Sequence, residues 1–120
     1  MILIVGGEGA GKEDYVNSLG YANAQCSFDP HADVPVCLHA ERLVKTQDDV
    51  PQLLPLLLQK EVVVCNEVGS GIIPAEPERI LWREAAGRLS VLLAKEASCV
   101  VRLVCGIPAV LKGEAPCTIK

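Results

Sequence analysis

The 120-residue sequence predicts an α/β fold in which helices cover both faces of a mainly parallel β-sheet. Short apolar runs alternate along the chain with stretches of helical periodicity, and this order is typical of strand–helix–strand units with right-handed crossovers. Each run is too uniformly apolar for a sheet with one face in water, which indicates strands buried on both faces. Half of the residues are apolar but only 3% are aromatic, so we expect an aliphatic core.

The first part of the chain predicts two strands and one helix. Residues 1–5 form an apolar run that ends at a glycine, and residues 12–22 then show a helical pattern with acidic residues in the first turn. Residues 23–33 lack any periodicity and predict an irregular connection. Residues 34–38 are apolar again and predict the second strand.

The remainder begins with a helical stretch that Pro51 and Pro55 are expected to divide into separate segments. The further predicted elements, in chain order, are a strand over residues 61–65, a glycine-rich loop over 66–75, a helix over 77–97, a strand over 100–105 and one edge strand near Thr118-Ile119. The predicted apolar face of the long helix comprises Ile80, Leu81, Ala85, Leu89, Leu92 and Leu93.

Composition and charge exclude several classes of function. Eleven basic residues against fifteen acidic ones give a net charge of −4, which does not suit binding to a phosphate backbone, so we expect no nucleic-acid partner. The longest apolar stretches, residues 53–58 and 98–104, are far shorter than the ~20 residues that span a bilayer. Residues 1–5 lack the basic start of a secretory signal. We therefore expect a single domain over residues 1–120 in the cytoplasm.

The cysteines and histidines leave a zinc site open as an alternative. Cys26, His31, Cys37 and His39 lie close in sequence and are the ligand types that zinc prefers. No pair among them has the C-x-x-C or H-x-x-x-H spacing that places two ligands on one turn. Most of the six cysteines lie in apolar runs, so separate core thiols and loop histidines are the preferred interpretation.

The segment Gly6–Lys12, GGEGAGK, fits the pattern G-x-x-x-x-G-K and stands directly between the first predicted strand and the first helix. Glycines allow successive backbone N–H groups to converge on phosphate oxygens, and the lysine reaches the β- and γ-phosphates. The motif therefore predicts a P-loop NTPase-like domain, with a glycine turn that binds nothing as the alternative. The candidate nucleotide-binding residues are Gly6, Gly7, Glu8, Gly9, Ala10, Gly11, Lys12 and Glu13, and Lys12 is also a candidate catalytic residue.

Glu13 departs from the motif, because this position normally carries a serine or threonine that ligates magnesium. A carboxylate can also ligate magnesium, but it brings negative charge towards a polyanion. At ~4 Å and an effective dielectric constant near 20, one like-charge pair costs about 4 kcal/mol, against ~0.3 to 1 kcal/mol from the helix dipole. We predict weakened and strongly magnesium-dependent nucleotide binding, or none.

Asn66 and Glu67 follow the strand over residues 61–65 at its carboxyl end, where open α/β sheets place their ligand crevice. Glu67 is a candidate magnesium ligand and a candidate partner of a substrate hydroxyl. A loop-capping role is the alternative. Gly69 and Gly71 would let the backbone approach a ligand closely.

Together with residues 82–89, residues 105–108 and Lys112, these motifs closely resemble the bifunctional adenosylcobinamide kinase / adenosylcobinamide-phosphate guanylyltransferase family of cobalamin biosynthesis. The resemblance covers roughly residues 1–22 and 61–113. It implies a P-loop fold, the use of ATP or GTP with magnesium, and phosphorylation of the adenosylcobinamide hydroxyl. It also implies subsequent GMP transfer through a guanylylated histidine, and a homo-oligomer.

The chain departs from this family where chemistry is concerned. The segment between the first helix and Val34 is short and lacks the family's guanylylated histidine in its usual context; His39 with Arg42 matches that context only in part. The strand that usually ends in Asp-Cys reads Val36-Cys37, and Ser90 replaces an asparagine. We therefore expect guanylyl transfer to be impaired, with His39 either a covalent nucleophile or a residue without a role.

Two hypotheses follow from these residues. The first is a shortened kinase in which Lys12 and the loop amides hold the nucleotide and Glu13 holds magnesium. Glu67 would be a second magnesium ligand or the partner of the substrate hydroxyl, and Arg83 and Arg88 would support phosphates or the loop. The second is a catalytically inactive relative that binds nucleotide or corrinoid, in which the two arginines lie on a solvated helix face.

Overall fold

The computed structural model describes residues 1–68 and 76–116, which form one six-stranded sheet with helices on both faces. The elements are β1 (Ile2–Gly6), α1 (Lys12–Ser18), β2 (Cys26–Ser27), β3 (Val36–Cys37), α2 (Val50–Leu58), β4 (Val62–Asn66), α3 (Pro77–Glu96), β5 (Cys99–Val104) and β6 (Ile107–Lys112). The strand order is β2-β3-β4-β1-β5-β6, and every pairing is parallel except that of β5 with β6. The predicted α/β class with a mainly parallel sheet is confirmed.

The central strand β1 shows why the sheet needs cover on both faces. Leu3 and Ile4 point to opposite faces, and both side chains are at most 1% exposed. Leu3 packs in a cluster with α2 and α3, whereas Ile4 packs in a second cluster that includes Val16 and Leu19 at the end of the chain's first helix. The result is a three-layer arrangement with an almost entirely aliphatic core.

The first helix is shorter than predicted. It ends at Ser18 rather than Ala22, because Gly20 adopts the left-handed conformation (φ +106°) that commonly terminates a helix. The N–H of Gly20 donates to the carbonyl of Asn17 at 3.0 Å. The chain then turns back, so that Tyr21 is buried in the core.

The region between the first helix and β4 contains a strand that the sequence did not predict. Residues 23–33, expected to be irregular, include a 3₁₀ turn at Asn23–Gln25 and the two-residue strand β2. The predicted strand over residues 34–38 is reduced to β3. Strands of two residues carry no periodicity, and they are defined here by the parallel pairing of Cys26 with Val36.

The prediction that Pro51 and Pro55 divide the helical stretch is wrong, because both lie in the continuous helix α2. Pro51 occupies the first turn, where a backbone N–H has no helical acceptor. Pro55 removes one i→i−4 hydrogen bond, and the burial of Leu53 and Leu57 holds the helix against the core.

The predicted long helix is confirmed as α3, although its apolar face is narrower than expected. Ala85, Leu89 and Leu93 are fully buried, whereas Ile80 and Leu81 are exposed. The first turns of α3 thus extend beyond the core. No helix in residues 1–68 or 76–116 has the length and apolarity required to cross a bilayer.

The antiparallel strand β6 was not predicted. A two-residue turn joins it to β5, and both turn residues are left-handed, with φ of +50° at Cys105 and +76° at Gly106. All six β6 residues are exposed, so no apolar periodicity marks them in the sequence. The predicted edge strand near Thr118-Ile119 lies outside the described residues.

Candidate active site

The glycine loop that follows β1 has the backbone conformation that its sequence requires. Gly9 and Gly11 have positive φ angles of +73° and +91°, which side chains rarely allow. Gly6 lies against β5, and a Cβ there would stand 2.8 Å from the carbonyl oxygen of Leu103. The N–H of Ala10 donates to the carbonyl of Gly7 at 3.2 Å and closes the turn. Three of the four glycines are therefore needed for shape alone.

Lys12, the first residue of α1, lies inside the curve of this loop. Its residue exposure is 5%, and its Nζ donates a hydrogen bond to the carbonyl oxygen of Gly7 at 2.6 Å. A buried ammonium group needs such a partner. Its charge is therefore held where the motif places the β- and γ-phosphates, but a phosphate must first displace the Gly7 carbonyl.

A cleft of about 350 Å³ opens beside the loop. Its lining residues are Glu8, Gly9, Gly11, Lys12, Glu13, Asp14, His39 and Asn66. One lysine thus faces three carboxylates within a single cleft, and the balance of charge is unfavourable for a free polyphosphate. This geometry sharpens the expectation that nucleotide affinity depends on magnesium.

His39 joins the loop to the opposite wall of the cleft. Its Nε2 lies 3.4 Å from Oε1 of Glu13, and its Nδ1 lies 3.4 Å from Oε2 of Glu41. The residue has a left-handed backbone (φ +53°), and the ring of Phe28 stacks on the imidazole at a centroid distance of 5.5 Å. These contacts fix the imidazole between two carboxylates. The sequence left the role of His39 open, and the structure brings it into the cleft.

Glu41 is a residue of this site that the sequence did not single out. Its side chain is 2% exposed, and Oε1 accepts a hydrogen bond from the backbone N–H of Asn66 at 2.9 Å. Trp82 Nε1 donates to the Glu41 carbonyl at 2.7 Å, and Arg42 Nε lies 3.6 Å from Oε2. A buried carboxylate is tolerated when it is paired in this way. No spacing rule could have found Glu41, because its main partner lies 25 residues away.

Glu67 lies beside the loop through its backbone but turns its carboxylate elsewhere. Its N–H donates to the carbonyl of Gly6 at 2.8 Å. Arg102 on β5 donates to the carboxylate twice, from Nε at 2.6 Å and from Nη2 at 3.1 Å. These hydrogen bonds raise the pKa of Arg102. Of the two predicted magnesium ligands, Glu13 lines the cleft and Glu67 is held by Arg102.

The carboxylates of the cleft suit a magnesium ion that takes its other ligands from a nucleotide and from water. No group of three or more His, Cys, Asp or Glu side chains arranged to hold a metal occurs in residues 1–68 and 76–116. Magnesium is usually bound by one or two carboxylates together with substrate phosphates and water. The half-exposed carboxylate of Glu13 fits that requirement, with the nucleotide supplying the other ligands.

The four residues of the alternative zinc site have different surroundings. Burial raises the pKa of the Cys37 thiol to about 11 and also raises that of Cys26. They are not part of any group of three metal-binding side chains within residues 1–68 and 76–116. His31 lines a separate pocket with Lys45 and Asp49.

The other residues that the sequence singled out lie on the β5–β6 turn and on α3. The N–H of Gly106 in the β5–β6 turn donates to the carbonyl of Ala10 at 2.9 Å, so this turn supports the glycine loop directly. Ser90 lies 3.4 Å from the Sγ atom of Cys65. Arg83 is half-buried and Arg88 is exposed on α3. Gly69 and Gly71 lie outside the described residues.

The family of the chain is shown by comparison with known families. A model of the family "cobinamide kinase / cobinamide phosphate guanyltransferase" matches residues 16–111, from the second turn of α1 to the end of β6. The glycine loop precedes the matched segment. No curated protein matches the sequence. Because the match covers most of the chain, including the strand that carries Asn66 and Glu67, the protein belongs to the cobinamide kinase / cobinamide phosphate guanyltransferase family of cobalamin biosynthesis.

Proposed function

We propose that the chain is a magnesium-dependent kinase that transfers the terminal phosphate of ATP or GTP to a hydroxyl group of adenosylcobinamide. The observation that carries this proposal is the left-handed glycine loop, which encloses Lys12 at the start of α1 in a chain of this family. Residues 1–120 then act as one nucleotide-binding domain.

In this function the loop from Gly6 to Lys12 holds the phosphates. Backbone N–H groups of the loop and of the first turn of α1 donate to phosphate oxygens, as helix N-termini do in anion sites. Lys12 exchanges the carbonyl of Gly7 for phosphate oxygen and keeps its charge in place. Phosphoryl transfer depends mainly on such positioning and charge stabilisation, because the protein supplies little covalent chemistry.

Glu13 is the proposed protein ligand of magnesium in the cleft. A bound magnesium ion neutralises phosphate charge and so reduces the repulsion between the polyphosphate and the three carboxylates of the lining. Without the metal, that repulsion opposes binding. This proposal explains how an acidic side chain can follow the lysine of a phosphate loop.

The proposed phosphoryl transfer forms one P–O bond and breaks another. The acceptor hydroxyl oxygen forms a bond to the γ-phosphorus, the bond from that phosphorus to the β–γ bridging oxygen breaks, and the nucleoside diphosphate leaves. The hydroxyl proton passes to solvent. Glu67 is the proposed partner of the acceptor hydroxyl, and it must exchange Arg102 for the substrate to play this part.

We propose that guanylyl transfer is impaired in this chain. The reaction through histidine requires an imidazole nitrogen to approach the α-phosphate of GTP. His39 lines the cleft, but its Nε2 lies 3.4 Å from Oε1 of Glu13, and this contact would have to break before the imidazole could attack a phosphate. The family's second activity therefore lacks a suitably placed nucleophile among the described residues.

A specific observation favours a second candidate function, a relative that binds its ligands without turnover. The two proposed catalytic groups both have internal partners: Lys12 bonds to Gly7, and Glu67 bonds to Arg102. A ligand must displace both contacts before reaction. If these contacts persist in the nucleotide complex, the chain binds nucleotide or corrinoid but does not transfer phosphate.

Transfer of γ-³²P from labelled ATP and from labelled GTP to adenosylcobinamide tests the proposal. We expect a labelled corrinoid product that requires magnesium and is absent with Lys12→Ala. Nucleotide binding without a labelled product would support the inactive relative. The predicted homo-oligomer is tested on the same samples by size-exclusion chromatography with light scattering.

A further inference from the structure

A second concave surface, here called the groove, lies between α3 and the sheet. It has a volume of about 420 Å³, within the ~300 to 1,000 Å³ range of small-molecule sites. Side chains of Leu3, Val5 and Val100 line its sheet side. Leu111 of β6 lines one edge. The walls are mostly apolar, unlike those of the cleft beside the glycine loop.

The α3 wall of the groove consists of small residues at helical spacing. Gly87, Ser90, Val91 and Ala94 recur three and four residues apart and therefore share one face. Apart from the backbone of its own helix, a Cβ at Gly87 would meet no atom within 4 Å, so residues 1–68 and 76–116 leave space beside this glycine. Val91 is 60% exposed. The described part of the chain thus leaves an apolar helix face open towards the groove.

The groove meets the cleft at one residue. Asn66 lines both, and its Oδ1 is buried without a hydrogen-bond partner in residues 1–68 and 76–116. Its backbone N–H is held by Glu41, which fixes the residue at the carboxyl end of β4. A buried acceptor without a donor is costly, and a ligand hydroxyl can satisfy it. Glu67 also lines the groove near this junction.

We propose that the groove binds an apolar edge of the corrinoid acceptor and that Asn66 Oδ1 accepts the hydrogen bond of the acceptor hydroxyl as long as Arg102 holds the carboxylate of Glu67. This inference rests on the proposed kinase function, since phosphoryl transfer needs the acceptor hydroxyl next to the phosphate cleft. The groove provides an apolar surface continuous with that cleft through Asn66. The macrocycle extends beyond the groove into solvent, and Asn66 positions the hydroxyl towards the γ-phosphate.

Gly87→Leu fills the groove from a position that has room for a side chain, and leucine is a good helix former. We expect the KM for adenosylcobinamide to rise by at least about tenfold. The Kd for magnesium nucleotide should stay within roughly twofold of the unmodified protein. Gly87→Ala, which adds one methyl group, should give a smaller rise. Lys95→Leu adds the same side chain on α3 outside the groove lining, and it should change neither value.

Asn66 is tested as a positioning residue by separating kcat from KM. Asn66→Ala should lower kcat by about tenfold at saturating substrates, the expected effect of one lost hydrogen bond that orients the hydroxyl. Asn66→Asp keeps an oxygen acceptor and should restore part of kcat. Equal activity in Asn66→Ala and the unmodified protein would overturn the role of Asn66.

Equilibrium dialysis with adenosylcobinamide separates this inference from the kinase proposal. Binding that Gly87→Leu weakens supports the groove even if no phosphate is transferred. If adenosylcobinamide does not bind, or binds equally well to Gly87→Leu, the proposed binding in the groove is overturned. The proposed nucleotide site is tested separately by nucleotide titration. A change of oligomeric state in Gly87→Leu with unchanged corrinoid binding would also overturn it, by showing an interface between copies.

Discussion

The cleft beside the glycine loop and the groove beside α3 share Asn66 but differ in their lining. Charged side chains line much of the cleft, whereas mostly apolar side chains line the groove. In the cleft, Lys12 bonds to the carbonyl of Gly7, and His39 lies between the carboxylates of Glu13 and Glu41. In the groove, apolar side chains and a helical glycine leave a surface uncovered. A ligand of the cleft would have to replace these contacts, whereas no contact within residues 1–68 and 76–116 covers the apolar lining at Gly87.

This difference separates two sources of specificity. In the proposed function, a nucleotide has to replace internal hydrogen bonds and meets the carboxylates of the cleft, so its binding would depend on a metal and on a close fit to the loop amides. Binding in the groove depends instead on apolar area and shape. Changes in the cleft should therefore alter affinity and rate strongly, and changes in the groove should act more weakly and mainly on the acceptor.

The largest expected effect comes from removing the cation of the cleft. Lys12→Ala removes the positive charge held inside the loop and the hydrogen bond to Gly7. We expect kcat/KM for phosphate transfer to fall by about 100- to 1,000-fold, as when a charge-stabilising donor is lost. Steady-state kinetics with labelled nucleotide measure it. Lys45→Ala, an exposed lysine outside the cleft, is the control, and equal losses in both variants would contradict the role of Lys12.

The next effect concerns the buried thiol of Cys65, which lies 3.4 Å from the groove residue Ser90. Burial raises the pKa of Cys65 from 9.0 to about 11, so the folded state favours the neutral thiol. This contribution to stability is fully present below pH 9 and is lost as the pH rises through 11. Relative to Cys65→Ala, the unmodified protein should lose about 2 kcal/mol of unfolding free energy between pH 8 and pH 11. Urea denaturation at both pH values measures the difference.

The control for this pH dependence is Cys105→Ala, because Cys105 is exposed. Its unfolding free energy should follow that of the unmodified protein across the same range. A difference between the unmodified protein and Cys65→Ala that does not change with pH would contradict the effect assigned to the buried thiol.

A smaller effect is expected from the carboxylate that follows the loop lysine. Glu13→Ser removes a negative charge from the cleft and restores the hydroxyl common at this position. Since Glu13 is more than half exposed, solvent screens its charge, and we expect nucleotide affinity without magnesium to rise by about tenfold. Calorimetric titration with and without the metal measures it. Asp33→Ser, outside the cleft, is the control, and unchanged metal-free affinity would contradict the charge argument.

The smallest effect concerns the open position on the groove wall. Gly87→Ala should raise the free energy of unfolding by about 0.5 to 1 kcal/mol, because alanine favours the helix and meets no neighbour. Gly106→Ala is the contrasting variant, since its φ of +76° disfavours a side chain, and it should destabilise the protein. Urea denaturation of both variants measures these free energies of unfolding. A lower free energy of unfolding in Gly87→Ala would show that the groove has less space beside Gly87 than described.

The sequence predicted those parts of the fold that local rules determine. The glycine loop, β1 and α3 follow from glycine spacing, a continuous apolar run and helical periodicity, and each has the expected position. β2 and β6 did not follow, since β2 depends on pairing with β3 and β6 has no buried face. The predicted break at Pro55 was wrong because the burial of α2 against the core outweighs the one hydrogen bond that the proline removes.

The candidate site divides in the same way. Lys12 and Glu13 could be found from the motif, because the loop and the start of α1 are contiguous in sequence. The contact of Glu41 with Asn66, and that of Glu67 with Arg102, join residues 25 and 35 positions apart. Such partners depend on how strands and turns meet in space. Spacing rules applied to one sequence therefore located the glycine loop but not the side chains that face it.

Titration of the unmodified protein with GTP and ATP, with and without magnesium, measures whether the glycine loop binds a nucleotide and whether the metal is required. We predict binding with magnesium, much weaker binding without it, and weakened binding by Lys12→Ala. Absence of binding at millimolar nucleotide with magnesium, or equally tight binding when the metal is chelated, would contradict the account of the loop and its acidic cleft.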